Sequence, residues 1–417
     1  MSILTTLTRM WLTRSLRPFT FTNEYDEHLR FEDAPNLGLY VHVPFCKSIC
    51  NFCPYCKERY DADRADRYVD ALLKEIGLVT ADMRERRTVT SLYFGGGTPA
   101  LIAPRLGEII GALREKFDIR EGIGAELHPD NVTPALLQQL KGAGVTKLSI
   151  GIQSFSSKFA KTLGRAPADP ALLRQALDAV PFETVSMDFI FALPEQTAQD
   201  IQADIDTAFA AGANHVAVYP FIDFSFTDSP VPAMKKKQKR ALLAQITEYC
   251  RQSGLTRDSI WTFSKEKDAR YSSMTRDNFL GFGSSATTLL PDQFKINTFS
   301  VDEYCRRIDE GRLPTALTTR FTLRQRMIYY LFWAAYGMRV EADAFERFFG
   351  KRLGAYYGAE LWLAKRLGWI TEEAGGYTLT AKGAFYFHHY ENFYTLAYID
   401  KMWSLMRHTP FPDNLKL

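Results

Sequence analysis

The chain has 417 residues, of which 46% are hydrophobic, so it is long enough for two or three domains and a substantial core. Its net charge of +3 is too small to indicate a nucleic-acid partner. The most apolar run, residues 327–338, is shorter than the ~20 residues of a membrane-spanning helix, so no transmembrane segment is expected.

The first element is an N-terminal segment, residues 1–36. Residues 1–14 combine an apolar face with scattered arginines and contain no signal-peptide core or cleavage site. Such a segment packs on a domain more often than it lies on a membrane surface. We therefore expect residues 1–36 to pack on the following domain, with weak contact to a membrane surface as the alternative.

From residue 37 to about residue 220, short β-rich runs alternate with amphipathic helical stretches. Six such repeats with short connections predict an α/β fold in which a parallel sheet curls into a full or partial barrel within residues 37–315. The predicted strands are residues 37–43, 89–94, 122–127, 145–150, 184–190 and 215–220. The predicted helices are residues 65–78, 103–116, 133–142, 157–163, 171–180 and 197–211.

A cysteine-rich loop follows the first predicted strand. Cys46, Cys50 and Cys53 have the spacing C-x3-C-x2-C, and Cys56 comes three residues later. Three thiolates on one loop can hold a cubane iron–sulfur cluster and leave one iron without a protein ligand. A structural zinc site is the alternative, but zinc ligands usually form two separated pairs. The remaining cysteines, residues 250 and 305, are isolated, which favours a reducing, cytoplasmic compartment.

Polar or glycine-rich residues occur at the ends of the other strands, where the active sites of such barrels lie. The Gly95–Gly97 run permits close approach of a ligand to the backbone. Glu126 can accept hydrogen bonds, and Gln153 can both donate and accept them. Arg165 offers a donor fork suited to a carboxylate, and Asp188 suits a ribose or a cation. Their common position predicts one ligand site.

These features resemble radical S-adenosylmethionine (SAM) enzymes, and in particular the oxygen-independent coproporphyrinogen III oxidase family. The resemblance runs from about residue 37 to about residue 289 and more weakly to the C-terminus. It rests on the segments VHVPFC, GGGTP, SIGIQSF, LGR, MDFIFALPEQT and LGFGSSA. It implies a partial (β/α)6 barrel of radical SAM type, with a [4Fe–4S] cluster held by Cys46, Cys50 and Cys53.

The same resemblance implies SAM contacts. Tyr40, Gly96 and Glu126 match positions that contact cluster-bound SAM. Other positions match contacts to a second SAM in that family: Gly97, Thr98, Gln153, Arg165 and Asp188. Thr287, after a glycine turn, again matches a SAM contact.

Two departures from the family pattern leave the substrate open. The decarboxylating members place their fourth cysteine after a single spacer, whereas Cys56 follows two spacers, and we interpret it as a free or auxiliary thiol. The haem-chaperone branch has a His-Asn-x-x-Tyr-Trp stretch, whereas residues 268–277 contain no histidine. The chain is therefore identified as a divergent member.

The C-terminal part differs in pattern. Residues 235–240 are basic, which indicates a solvated helix face or a steering patch for an anionic substrate. Residues 316–417 predict a winged-helix-like domain, for which a structural lid is favoured over DNA binding. Aromatic residues crowd its last helix, which favours core packing over an oligomer contact or a flat ligand. A haem-ligand role for His388 or His389 is the least favoured alternative.

The expected function is reductive cleavage of SAM to a 5′-deoxyadenosyl radical, which abstracts hydrogen from a substrate C–H bond. The resemblance makes a tetrapyrrole propionate the leading substrate, by oxidative decarboxylation, although another apolar or anionic small molecule stays open. The alternatives are radical methyl or methylene transfer with a second SAM, and a non-catalytic haem carrier. A low-potential donor such as flavodoxin or ferredoxin is the expected protein partner.

Overall fold

The computed structural model describes residues 3–50, 52–224, 227, 231–265, 277–394 and 398–417. Most of the stretch 268–277, which departs from the haem-chaperone pattern, lies outside these residues, as does the side chain of His389. Within the described residues, no helix combines the length and apolar character needed to cross a membrane.

The N-terminal segment and the first half of the chain alternate between helices and strands. Their bounds, in chain order, are α1 (Ile3–Thr13), β1 (Thr20–Thr22), β2 (Leu37–Val43), β3 (Phe45–Cys46), β4 (Glu58–Arg59), α2 (Ala62–Val79), β5 (Arg87–Val89), β6 (Leu92–Gly96), α3 (Ala103–Lys116), β7 (Phe117–Ile119), β8 (Ile123–Leu127), α4 (Pro134–Ala143), β9 (Lys147–Gln153), α5 (Ala160–Leu163), α6 (Pro170–Ala179), β10 (Thr184–Phe191), α7 (Ala198–Ala210) and β11 (His215–Pro220).

All six predicted strands are present. β6 begins at Leu92 rather than at residue 89, because Arg87–Val89 forms a separate strand that pairs with β7. The strands β2, β6, β8, β9, β10 and β11 pair side by side in parallel. Their side chains are buried on both faces, as in parallel sheets covered by helices.

The second half of the chain extends this sheet. Its elements are α8 (Lys236–Gln252), β12 (Thr256–Arg257), β13 (Thr262–Ser264), β14 (Asn278–Phe282), β15 (Thr287–Leu289), β16 (Gln293–Asn297), α9 (Val301–Asp309), β17 (Thr315–Arg320), α10 (Leu323–Tyr336), β18 (Arg339–Glu341), α11 (Ala342–Phe349), α12 (Leu353–Arg366), β19 (Ile370–Glu373), β20 (Gly376–Leu379), α13 (Ala381–Tyr394), α14 (Asp400–His408) and β21 (Asn414–Lys416).

The main sheet has fourteen strands in the described residues and stays open at both edges. Its order is β12-β13-β11-β10-β9-β8-β6-β2-β14-β15-β16-β17-β1-β21. β14 pairs in parallel with β2, so the parallel part has one strand more than the six predicted. The strands from β15 onward are antiparallel. The α/β fold with a partial parallel barrel is therefore confirmed.

The buried carboxylate of Glu75 stabilises the turn after β14 through hydrogen bonds. Glu75 of α2 accepts hydrogen bonds from the backbone N–H of Gly283 (2.7 Å), the amide of Asn297 (3.1 Å) and the hydroxyl of Tyr304 (2.7 Å). Burial raises the pKa of Glu75, while the Lys295 ammonium and these donors lower it. The network fixes the turn that leads into β15 and hence the position of Thr287.

The C-terminal region contains a helical unit with a small sheet. Helices α10 to α13 surround three strands in the order β18-β20-β19, an arrangement that matches the predicted winged-helix-like unit. The division predicted between residues 315 and 316 falls inside β17, which pairs with β16 of the main sheet. β21 also returns to that sheet by pairing with β1. The domain boundaries stay a prediction.

Candidate active site

A large cavity, of about 1360 Å³, opens at the carboxyl ends of the parallel strands. It brings together the twelve residues for which the sequence predicts a contact with a cluster or with SAM. These are Tyr40, Cys46, Cys50, Cys53, Gly96, Gly97, Thr98, Glu126, Gln153, Arg165, Asp188 and Thr287. Helices and strands from both ends of the chain complete its walls.

The cysteine loop is closed at its base by backbone pairing. The N–H of Glu58 donates to Pro44 O (2.7 Å), and the N–H of Tyr60 donates to Cys46 O (2.9 Å). Helix α14 contacts the outer edge of the loop, where Arg407 donates hydrogen bonds to the carbonyls of Pro54 (2.8 Å) and Tyr55 (3.0 Å). The loop is therefore held at both its base and its outer edge.

The first three cysteines are partly exposed towards the cavity, and all six cysteines of the chain are free thiols. Thr98 Oγ1 donates to Cys46 Sγ (3.9 Å), and a guanidinium N–H of Arg165 donates to Cys50 Sγ (3.7 Å). Burial raises the pKa of Cys46 to about 11 and also raises that of Cys53, which Lys57 lowers in part. A hydrogen-bond donor or a cation therefore lies beside each thiol.

Cys56 has a different environment. It is 8% exposed and belongs to an apolar cluster that includes Phe299 and Tyr398. Its Sγ donates to Phe299 O (3.1 Å), and burial raises its pKa to about 12. These contacts hold Cys56 in the core packing of the loop, apart from the donors that face the other three thiols.

The glycine run packs on the start of the cysteine loop. The N–H of Gly97 donates to Val43 O (2.7 Å), and that of Thr98 donates to Phe45 O (2.8 Å). A Cβ atom at Gly97 would lie 2.5 Å from Phe45 O and 3.0 Å from Cys46 Sγ, too close for any side chain. Gly96 has φ +113°, a conformation that favours glycine.

Glu126 lies on the floor of the cavity, at the end of β8. Its Oε2 accepts the N–H of Gly96 (2.9 Å), and its Oε1 accepts the hydroxyl of Tyr93 (3.3 Å). Burial raises its pKa to about 7, although these donors lower it in part. A cationic group bound beside Glu126 would favour its ionised form.

Tyr40 and His42 alternate along β2 and both line the cavity. The Tyr40 hydroxyl and His42 Nδ1 are 3.0 Å apart, and His42 Nε2 lies 3.1 Å from Cys56 O. Burial lowers the pKa of His42 to about 4, so the ring is neutral and links Tyr40 to the cysteine loop. The sequence analysis missed His42, although it lies within the quoted segment VHVPFC.

A β-bulge explains why Gln153 faces the cavity. In the pairing of β9 with β10, Asp188 lies opposite Gly151 and Phe189 lies opposite Gln153, so the register shifts by one residue. Gln153 also has φ +70°. Bulges commonly redirect a side chain near an active site. Arg165 donates to the carbonyl of Gly151 in this bulge as well as to Cys50.

Asp188 accepts hydrogen bonds from two serines, one on the neighbouring strand β9 and one on its own strand β10. Ser149 donates to Oδ2 (2.5 Å) and Ser186 donates to Oδ1 (3.0 Å). Burial nevertheless raises the pKa of Asp188 to about 6. Ser186 also lies 2.9 Å from His215 Nδ1. These polar neighbours were not singled out by sequence, because single serines and a lone histidine carry no motif.

Over residues 40–208 the chain matches the family model of the radical SAM superfamily. More particularly, it is similar to two kinds of relative. It is 26% identical over 391 residues to the oxygen-independent coproporphyrinogen III oxidase of Escherichia coli K12, covering 85% of this chain and 84% of the relative. It is 25% identical over 332 residues to the haem chaperone HemW of Bacillus subtilis, covering 76% and 86%.

The fold is shared with a solved structure. Coproporphyrinogen III oxidase (HemN) from Escherichia coli superposes with a TM-score of 0.75 over 93% of this chain and 98% of that chain, at 22% identity. At this identity the similarity concerns the fold alone. The family model and the sequence relatives, together with this shared fold, confirm the resemblance inferred from the motifs.

A radical SAM domain implies a [4Fe–4S] cluster and SAM, and the cavity residues fit both groups. Three thiols with adjacent donors supply the ligands of a cubane cluster, one thiolate for each of three irons. Among the described residues no three His, Cys, Asp or Glu side chains are arranged to hold one metal ion. The buried carboxylate of Glu126 provides an acceptor for a cationic ligand, and the glycine run lets His42 and the cysteine loop pack directly against its backbone.

Proposed function

We propose that this protein is a radical SAM enzyme that abstracts a hydrogen atom from a C–H bond of a tetrapyrrole propionate. The substrate radical would then lose carbon dioxide, form a C=C bond and pass one electron to an external electron acceptor, which completes an oxidative decarboxylation. When bound, the reduced cluster would supply the electron that cleaves SAM to methionine and a 5′-deoxyadenosyl radical. An external donor of low potential, such as flavodoxin or ferredoxin, would reduce it. The observation that carries this proposal is the convergence of twelve motif residues on one cavity.

The proposed roles follow the contacts of each side chain. Cys46, Cys50 and Cys53 would ligate the cluster, with Thr98 and Arg165 donating to two of the sulfur atoms. Such donors stabilise negative charge on the thiolates and orient them.

The first SAM would contact the end of β2 and the floor of the cavity. Glu126 would accept from the SAM ammonium or ribose, and its neighbours Tyr40 and Gly96 would shape the same pocket. Thr287 would complete this site from β15. The apolar walls would exclude water from the radical step.

A second SAM is proposed beside the first. Gly97, Thr98, Gln153, Arg165 and Asp188 line the same cavity at the ends of β6, β9 and β10. Equilibrium dialysis of cluster-loaded protein should then give close to two SAM per chain. Gln153→Ala should remove the weaker site while leaving iron content unchanged, because Gln153 has no contact with a cysteine among the described residues. A stoichiometry of one would contradict this assignment.

A tetrapyrrole is supported by the size of the cavity, about 1360 Å³, and by its largely apolar walls, which include aromatic side chains such as Phe19, Trp333 and Trp403. It is also supported by the relatives, one named coproporphyrinogen III oxidase and another named haem chaperone. The relative named haem chaperone favours one alternative function, that of a haem carrier that catalyses no reaction.

The test is an anaerobic reaction of the reconstituted protein with SAM, a reductant and coproporphyrinogen III. We expect 5′-deoxyadenosine, together with release of carbon dioxide and loss of the corresponding mass from the substrate. Glu126→Gln should reduce the rate of 5′-deoxyadenosine formation, whereas Glu121→Gln, an exposed control, should not.

The products separate the alternatives. S-adenosylhomocysteine with a gain of one carbon on the substrate would support methyl or methylene transfer instead. Tight haem binding without 5′-deoxyadenosine would support the carrier. If the cysteine loop binds stoichiometric zinc and no iron, the radical SAM function itself is wrong.

A further inference from the structure

One wall of the cavity is built by the two ends of the chain. It is formed by α1 and β1 from the N-terminal side and by the helix and strand after residue 397 from the C-terminal side. Most side chains that it presents are apolar or aromatic. They include Leu12, Phe19, Phe21, Ile399, Met402 and Trp403.

Arg9 lies in this apolar wall and lines the cavity, although its residue is only 7% exposed. One guanidinium N–H donates to the carbonyl of Arg17, and the side chain also hydrogen-bonds Tyr398. The Nε atom is buried and has no hydrogen-bond partner. No carboxylate among the described residues pairs with Arg9. A buried cation of this kind is costly unless an anion accompanies it.

The other buried or half-buried arginines of the cavity are already engaged. Arg165 donates to Gly151 O and Cys50 Sγ, and Arg257 donates to the carbonyls of Ser259 and Ile260. Arg339 pairs with two glutamates. Arg165 also lacks a carboxylate partner and has a buried Nε without a hydrogen-bond partner, but its guanidinium donates to Cys50 and so belongs to the cluster site. Arg9 differs in lying outside that site, in an apolar wall of the cavity.

We propose that Arg9 binds a carboxylate of an apolar, ring-containing ligand that packs on Phe19, Phe21 and Tyr398. The assignment rests on the proposed function only in taking this cavity to hold the substrate. Arg9 would be a substrate-recognition residue on the N-terminal helix α1, outside the sequence motifs that resemble the radical SAM family. The ligand class is an aromatic or polycyclic organic acid.

A carboxylate fits this wall better than a phosphate does. One guanidinium can neutralise a single negative charge and bind it through two parallel hydrogen bonds. A phosphate carries more charge and more acceptor oxygens than Arg9 and the neighbouring Tyr398 hydroxyl can satisfy. Thr13, the other hydroxyl of this wall, already donates to the carbonyl of Arg9 (2.7 Å).

The experiment compares two probes of nearly equal shape, 1-pyrenebutyrate and its neutral analogue 1-pyrenebutanol. Equilibrium dialysis measures both dissociation constants for the full chain with its cluster reconstituted. We expect the wild-type protein to bind pyrenebutyrate more tightly than pyrenebutanol. Arg9→Gln should weaken pyrenebutyrate binding about ten- to a hundredfold, the loss expected for one charge-assisted interaction, and leave pyrenebutanol binding unchanged.

Two further variants give controls. Arg17→Gln changes an exposed arginine of the same segment outside the cavity and should leave both constants unchanged. Arg9→Lys keeps the positive charge and should preserve part of the preference for pyrenebutyrate over pyrenebutanol. If circular dichroism shows that Arg9→Gln does not fold, the preference measured in Arg9→Lys tests the proposal instead.

The proposal is overturned if wild-type protein binds pyrenebutanol as tightly as pyrenebutyrate, or if Arg9→Gln weakens both probes equally. Its failure is distinguishable from failure of the proposed function. Formation of 5′-deoxyadenosine tests the radical chemistry and does not depend on the probe preference. If the protein prefers pyrenebutyrate through Arg9 but never cleaves SAM, the Arg9 subsite is supported and the proposed enzymatic function is wrong.

Discussion

The guanidinium of Arg165 donates to Cys50 Sγ across 3.7 Å while the same side chain holds the carbonyl of Gly151. One residue thus connects the bulge at the end of β9 to the cysteine loop. This contact gives Arg165 an influence on the loop in addition to any contact with SAM.

Arg165→Ala should lower the reduction potential of the reconstituted cluster. Hydrogen bonds to cluster sulfurs raise such potentials, because they stabilise the added electron. Losing about 1 kcal/mol of this stabilisation corresponds to about 40 mV for a one-electron couple. Redox titration followed by electron paramagnetic resonance, without SAM, measures the shift. Arg174→Ala, an exposed arginine on α6, is the matched control. An unchanged midpoint in Arg165→Ala would refute the prediction.

Replacing Cys46, Cys50 or Cys53 by Ala should abolish the cluster, because each thiolate would be an obligatory ligand. Cys56→Ala should retain about four irons per chain, since its Sγ is committed to Phe299 O in the core. Iron and sulfide analysis after anaerobic reconstitution provides the measurement. Cys250→Ala controls for loss of a buried thiol elsewhere. Loss of iron from Cys56→Ala would assign that residue to the site.

Gly97→Val should reduce both the iron content and SAM cleavage. The sequence suggested that a side chain here blocks the ligand, but the Cβ would first collide with Phe45 O and Cys46 Sγ. The cysteine loop must therefore shift. Gly107→Ala on α3, where nothing lies within 4 Å of the new Cβ, should keep full iron content and add about 0.5–1 kcal/mol of stability. Equal iron in Gly97→Val and the parent would exclude the collision.

Glu126 should make the cluster-free protein less stable as the pH rises. Burial raises its pKa from 4.5 to about 7, so the folded state holds a proton that the unfolded state has released. The contribution of this bound proton to the free energy of unfolding is therefore fully present below pH 4.5 and is lost as the pH rises through 7.

Thermal unfolding of Glu126→Gln, whose side chain does not ionise, measures this contribution. Relative to the parent, the variant should gain about 1–3 °C in Tm between pH 5 and pH 8. Glu121→Gln should show no such gain. A constant difference between Glu126→Gln and the parent over this pH range would rule out titration of Glu126.

The barrel and its cavity could be predicted from sequence because they are locally encoded. Each parallel strand is a short apolar run, and most of the candidate residues occur near the end of one. Cys46 follows β2 and Glu126 lies at the end of β8, whereas Asp188 lies within β10, three residues before its end. Since parallel strand ends meet at one edge, their convergence followed without knowledge of long-range contacts.

The strand β14 and the wall containing Arg9 could not be predicted in the same way. β14 pairs with β2 across more than 200 residues, and nothing in its apolar sequence specifies that partner. Arg9 becomes a candidate binding residue only because it is buried beside Tyr398, which lies near the other end of the chain. The bulge that turns Gln153 inward depends on register, which hydrophobic alternation does not encode.

The pairing of β1 with β21 joins residues 20–22 to residues 414–416 through three residues on each strand. A short edge pair that closes so long a stretch of chain is costly in entropy to form and opens locally without unfolding of the barrel. Because Phe21 of β1 lines the cavity, fraying of this pair would widen the path by which dissolved gases reach the cysteine loop. We expect the lifetime of the protein in air to follow the stability of this strand pair more closely than the melting temperature of the whole molecule.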